Sequence, residues 1–360
     1  MKNVLRNKKI MIIIGILIVL VSIGFIIFTI IDSKDNDSID NNKQDVLENV
    51  NNDVNVEEEN VEEKKLNIID VNSNSRPIAV MINNLNVARN YHSGLQDAYI
   101  VYEIIVEGGI TRMMALFKDK DTARIGSVRS SRHYYLDYAL ENDAIYVHFG
   151  WSPQAQSDIP KLGVNNINGL YDSAFWRDTS LNVAYEHTAF TSIEKIMNDA
   201  KNKGYNLISN KDTLLNYTTD EVDLTKYEDS VTANSVDVKY SNYITTSYVY
   251  NPKEKVYYRN VNNKAHTDYV TKKQYTAKNI IIIYVDNGNI GSDSKGRQEL
   301  ENIGTGTGFY VTNGACIPIT WEKRSRTSQT VYKYKDGKEI NVSDGNTYIQ
   351  IAPKNSAKVK

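Results

Sequence analysis

Arginine is concentrated where a strand-to-helix junction is expected. Six of the twelve arginines, Arg76, Arg89, Arg112, Arg124, Arg129 and Arg132, fall in one stretch of the chain. The segment Arg129-Ser130-Ser131-Arg132 follows a short strand-like run, Arg124–Val128, and precedes a predicted helix over His133–Asn142, with Ser130-Ser131 as its cap. Backbone N–H groups at a helix start lack intrahelical acceptors, and the helix dipole favours negative charge there. Guanidinium groups add fork-shaped donor pairs. Arg112, Arg124, Arg129, Ser130, Ser131 and Arg132 are therefore expected to bind phosphate, pyrophosphate or carboxylate. A second junction, His148-Phe149-Gly150-Trp151-Ser152-Pro153-Gln154, has Ser152 at a helix cap and Pro153 at the first helical position. If the two preceding strands are neighbours, both junctions open onto one crevice, which adds His148 and Gln154 to the candidates. The bland alternatives are surface ion pairs and a plain serine cap.

Four residues are candidates for catalysis: Asp97, Glu103, Glu107 and His148. Glu103 and Glu107 stand at a strand end before Gly108-Gly109, with Arg112 on the returning strand. A carboxylate there is either a general base or Mg²⁺ ligand steered by Arg112, or, for Glu107, half of a cross-strand ion pair. His148 is either catalytic or a structurally bonded strand-end histidine. The five histidines form no HxH or HExxH spacing, so no metal site is expected. No cofactor is expected either; Mg²⁺ enters only with the enzymatic alternative. Cys316 lacks the His-Gly before and the Arg after that mark L,D-transpeptidase cysteines, and reads as a buried, inert thiol. Gly304-Thr305-Gly306-Thr307-Gly308 precedes a strand rather than a helix, so it reads as a flexible turn and not a phosphate loop.

These groups must be positioned by an exported fold. Residues 10–31 are an apolar run broken only by Ser22 and Thr29, long enough to cross the roughly 30 Å hydrocarbon core. Lys2, Arg6, Lys8 and Lys9 precede it and Asp32, Asp35 and Asp37 follow, so the tail 1–9 is expected in the cytoplasm and the rest outside. Residues 32–72, rich in Asn, Asp, Glu and Lys, read as a disordered acidic linker. The four N-terminal bases and a net −8 between Asp32 and Leu66 leave the remainder at +2, which argues against nucleic acid as a partner. A single cysteine excludes an internal disulfide.

Beyond the linker, buried-strand runs at Ile78–Ile82, Tyr99–Val106, Ile110–Phe117 and Ala144–Phe149 interleave with helices near His133, Pro153 and Ile193–Lys203. This predicts an α/β (or α+β) N-terminal outer domain over 73–225. Strand-like runs at Val236–Tyr240, Tyr248–Tyr250, Val256–Arg259, Ile280–Val285 and Phe309–Thr312, with turn signals such as Asn313-Gly314 between them, predict a mainly antiparallel β C-terminal domain over 230–356.

The strings Arg76-Pro77-Ile78-Ala79-Val80-Met81-Ile82-Asn83-Asn84, Val106-Glu107-Gly108-Gly109-Ile110-Thr111-Arg112 and Ile125-Gly126-Ser127-Val128-Arg129-Ser130-Ser131-Arg132, with Tyr146-Val147-His148 and Thr320-Trp321, resemble the YerB-like bacterial lipoprotein family. The resemblance implies two domains of largely unassigned function on the outer membrane face, mainly in Gram-positive bacteria. Here a transmembrane anchor takes the place of the family's lipidated cysteine. In layout alone the chain is also similar to the LytR–CpsA–Psr phosphotransferases, with Asp97, Arg124, Arg129 and Arg132 in comparable places. Two functions follow as expectations. One is an accessory binding protein of the cell envelope that takes a cell-wall glycan, another anionic ligand or an envelope protein. The other is a glycopolymer transferase or hydrolase acting on a polyprenyl-linked intermediate, with Arg112, Arg129 and Arg132 clamping the diphosphate.

Overall fold

The computed structural model describes residues 65–291 and 293–360. The expected tail, anchor and most of the acidic linker lie outside these residues. Among the described residues, no helix is long and apolar enough to cross a membrane. The last part of the expected linker does not behave as a disordered chain: Ile69 is buried, Leu66 and Ile68 pack against the core, and the Asn67 amide donates to Asp344 at 2.8 Å. Three apolar residues closely spaced after a polar run suffice to dock it.

The longest apolar runs become strands buried on both faces, and two longer strands, Gly304–Thr312 and Ala315–Lys323, are only partly covered. They are β1 (Ile78–Asn83), β2 (Ile100–Ile105), β3 (Thr111–Phe117), β4 (Ile145–His148), β5 (Asn279–Tyr284), β6 (Gly304–Thr312), β7 (Ala315–Lys323) and β8 (Thr347–Ala352). They join in one sheet in the order β7-β6-β5-β8-β2-β3-β1-β4, extended by Val231–Thr232 at one edge and Asn166–Asn168 at the other. Helix α1 (Asn86–Arg89) follows β1, α2 (His133–Glu141) and α3 (Pro153–Lys161) follow the two arginine- and histidine-bearing junctions, and α4 (Ile193–Asn202) closes the first half.

The protein thus has a mixed α/β N-terminal part and a mainly antiparallel β C-terminal part. Their sheets are continuous, because β2 pairs in parallel with β8, Ile100 facing Thr347 and Ile104 facing Ile351. One face of the sheet buries Ala79, Met81, Tyr102, Ile281 and Ile349 against Tyr134, Tyr135 and Tyr138 of α2. The other buries Val80, Val101, Ile280 and Ile282 against Ile196 of α4 and against Val236, Tyr248 and Tyr257 of a second, antiparallel sheet. Covering both faces is what allows strands with no polar alternation.

One expectation about the strands needs correction, and that of a buried Cys316 thiol holds. Gly304–Gly308 is the first half of a nine-residue strand paired with β7, not a flexible turn. A Cβ at Gly308 would stand 1.9 Å from the Ile282 carbonyl oxygen, so glycine there serves a close approach of two backbones. The turn lies beyond it, at Asn313-Gly314, where both residues have positive φ between β6 and β7. Cys316 is buried on β7, and burial pushes its thiol up to about 12.

Candidate functional site

Strands β1, β2, β4, β5 and β8 run in the same direction, so their carboxyl ends share one edge of the sheet. At that edge the two junctions run side by side. The Phe149 amide donates to the Arg129 carbonyl at 3.0 Å, Ser131 N–H to Gly150 at 2.9 Å and Ser152 N–H to Ser131 at 3.1 Å. This pairing keeps Ser131 extended and buried, and its hydroxyl accepts from Tyr146 at 2.9 Å. The cap of α2 is therefore Arg132, without a side-chain bond to the helix, and not Ser130-Ser131. Ser152 does cap α3, accepting from Ala155 N–H at 3.3 Å, with Pro153 first in the helix.

Three guanidinium groups surround Glu107. Arg132 bonds it directly, Arg112 lies at 3.8 Å and Arg297 at 4.0 Å. Burial raises the Glu107 carboxyl, but the hydrogen bond and charge of Arg132, then the charge of Arg112, outweigh it and hold the group below the usual range. Burial, then repulsion from Arg132, pushes Arg112 down to about 10, and this side chain donates to the Ser130 carbonyl at 2.6 Å. Arg297 is also paired with Asp293 at 2.7 Å.

The remaining candidates separate. Arg129 reaches Glu186 at 2.8 Å; Arg124 pairs with Asp178 at 2.9 Å and lies 3.7 Å over the Phe190 ring. Gln154 is exposed on α3. Asp97 is exposed in a 3-10 turn at the opposite, amino end of β2 and accepts from Thr122 at 2.8 Å. His148 has no exposed surface; its ring nitrogens meet Gly150 O at 2.8 Å and Asn166 Oδ1 at 3.2 Å, between Tyr146 and Trp151.

Sequence reasoning missed Arg177. Its guanidinium lies 4.2 Å from the Phe149 ring and 4.3 Å from the Tyr185 ring, and it makes no ion pair among the described residues. Phe149 belongs to the second junction, and Arg129 bonds Glu186, next to Tyr185. A strip thus runs from Tyr185 and Arg177 past Ser130 and Leu170 to Trp151 and Tyr171, whose rings are 5.9 Å apart. Tyr185 and Tyr171 are 65% and 75% exposed, so their faces are open to a ligand. Only the aromatic content near Gly150 hinted at this in the sequence.

Glu103 is wholly buried. Arg259, also wholly buried, donates to its Oε2 at 2.8 Å, while Asn84, Thr111 and Thr246 serve Oε1. Arg259 then donates to His266 Nδ1, which sets His266 Nε2–H toward His92 Nδ1 at 2.8 Å, and His92 Nε2–H toward the Asn83 carbonyl. Both rings are neutral in this chain of donors. Burial pushes His92 down to about 3, against the bond to Asn83; burial, then Arg259, takes His266 well below its ordinary value. Buried His133, His148 and His187 shift the same way.

A pH dependence of stability follows. In the unfolded chain His92 and His266 take a proton near pH 6.5, whereas the folded protein refuses it at both rings until much lower. The unfolded state then binds more protons, so stability falls as pH falls, approaching about 1.4 kcal/mol per unit for each such ring. Urea midpoints are expected to drop between pH 7 and 5, above the range where free carboxylates titrate. A flat profile there would contradict neutral, buried rings.

Among the described residues, no group of three His, Cys, Asp or Glu side chains is placed to hold a metal. Residues 66–206 match the family described as "Protein of unknown function (DUF3048) N-terminal domain", and residues 236–349 match its C-terminal domain. A Bacillus subtilis (strain 168) protein provisionally named lipoprotein YerB is 34% identical over 284 residues, 77% of this chain and 81% of the relative. The crystal structure of YerB protein from Bacillus subtilis superimposes with a TM-score of 0.69 at 32% identity, covering 79% of this chain and 94% of that one.

Proposed function

The chain belongs to the DUF3048 family, with YerB among its members, and on that premise we propose that it is a membrane-associated, extracytoplasmic binding protein of the cell envelope that takes an anionic glycan. The provisional lipoprotein name of the relative and the apolar run at residues 10–31 both favour the outer face of a membrane.

The observation that carries the ligand class is Arg177 between the Phe149 and Tyr185 rings, beside Arg129 and, among the described residues, without a carboxylate of its own. Exposed aromatic faces offer flat apolar area to the C–H face of a sugar ring, with polar tips for its hydroxyls. The guanidinium forks of Arg177 and Arg129 suit a phosphate or carboxylate on the same polymer. The alternative of a transferase or hydrolase needs a carboxylate free to act as base beside the arginines. Glu107 is committed to Arg132 and Arg112, Glu103 to Arg259, and Asp97 lies at the other end of β2, so binding is the better-supported reading.

Cosedimentation of the full-length protein with isolated cell-wall sacculi tests it. Arg129→Ala combined with Arg177→Ala is expected to weaken retention at least tenfold, in keeping with the loss of two charge-assisted contacts. Stripping phosphate polymers from the sacculi is expected to weaken the unaltered protein similarly. Retention unchanged by both, with the thermal transition intact, would remove the proposal.

A further inference from the structure

A separate recess opens behind the carboxyl end of β1. It encloses about 330 Å³, enough for a small molecule. Its walls come from both halves of the protein: Asn86, Arg89 and Asn90 around α1, and Asn262, Lys264 and His266 from the second sheet. None of its lining side chains is a carboxylate. Sites built between two parts of a fold are common places for small ligands.

The charge at this recess is not balanced. Arg89 is only 8% exposed and bonds neutral oxygens, the Asn84 carbonyl at 2.8 Å and Asn86 Oδ1 at 3.0 Å. Its nearest carboxylate influence is Glu103, but that group is wholly enclosed and already paired with Arg259. Two buried guanidinium groups therefore share one carboxylate, and each repels the other. Burial, then Arg259, pushes Arg89 down to about 10, the direction expected of a cation short of a counter-charge. Lys264 stands exposed at the wall and forms no ion pair among the described residues. Asn86 spends its side-chain oxygen on Arg89, which leaves its amide hydrogens for a ligand. A buried charge without a partner is unfavourable unless something supplies the opposite sign.

We propose that this recess binds the phosphate group of a small phosphorylated molecule, with Arg89 and Lys264 as the cations and Asn86 as a neutral donor. A dianionic phosphate matches two cations, whereas one carboxylate would leave one of them over. The cavity is larger than a phosphate ion, so the rest of the volume suits a group the size of one sugar. This inference shares with the envelope-glycan reading only the sign of the ligand's charge.

Phosphorus NMR line broadening on the full-length protein, with glucose 1-phosphate and inorganic phosphate as probes, tests it. Broadening of the glucose 1-phosphate signal is expected, and Lys264→Glu should weaken binding at least tenfold. Arg89→Gln should do the same; because that side chain also braces Asn84, the exposed Lys264 variant decides if Arg89→Gln misfolds. The combined Arg129 and Arg177 variant should bind glucose 1-phosphate as the unaltered protein does, and Lys264→Glu should be retained by sacculi as before, so the two readings fail separately. No broadening of glucose 1-phosphate, broadening of inorganic phosphate alone, or unaltered binding by folded Lys264→Glu would each overturn the proposal.

Discussion

Glu103→Gln is expected to destabilise the protein by about 3–5 kcal/mol, the usual cost of removing one partner from a buried ion pair. The substitution keeps the shape and can still accept from Thr111 and Thr246 at Oε1, so lost packing is a minor part of the effect. What it leaves is Arg259, with no exposed surface, facing Arg89 and the neutral His266 ring and, among the described residues, no carboxylate within ion-pair distance. Arg259→Met made in the Glu103→Gln background should recover part of the loss, since it removes the unpaired charge while the glutamine oxygen still accepts from Thr111 and Thr246. Urea unfolding of the three proteins measures this. A Glu103→Gln protein within about 1 kcal/mol of the parent would mean that Arg259 finds another partner or water, contrary to the buried geometry.

The elements were legible where local chemistry decides them. Asn313-Gly314 supplies two positive φ angles, and Ser152-Pro153 supplies a cap and a preset first turn; both appear where the sequence places them. The all-apolar runs of β1, β3 and β5 mark strands covered on both faces. Long-range partners were not legible. Nothing local to Glu103 announces Arg259, 156 residues away, and a buried carboxylate beside a glycine pair invites a catalytic reading until that partner is seen. Ser130-Ser131 looks like a cap because capping is judged from adjacent residues, while Ser131 is recruited by Gly150 of the neighbouring junction. The glycines before Phe309 look like a turn because the Ile282 carbonyl that crowds Gly308 belongs to another strand. Arg177 escaped notice for the same reason, as its sandwiching rings come from two separate segments.

Lys323→Met is expected to cost about 3–5 kcal/mol by the same physics, now with the carboxylate left behind. Lys323 on β7 is 1% exposed and meets Glu141 Oε2 at 2.7 Å, while Glu141 also accepts from Tyr102 at 2.6 Å and from the Thr330 hydroxyl at 2.6 Å. These neutral donors soften the loss but do not cancel the charge, and Glu141 sits in the last turn of α2, where the helix dipole disfavours an anion. The pair joins the first half of the chain to the second, as Glu103 and Arg259 do, and the β2–β8 pairing lies within the same sheet. The loss should therefore appear in the unfolding of the whole sheet and not as a local opening of β7. With Trp151 and Trp176 replaced by Phe, fluorescence of Trp321, buried two residues from Lys323, and far-UV circular dichroism should give one coincident urea transition, shifted to lower urea in the variant. If the Trp321 signal moved alone, β7 would be an independently opening flap, and the continuity of the sheet would not couple the two halves energetically.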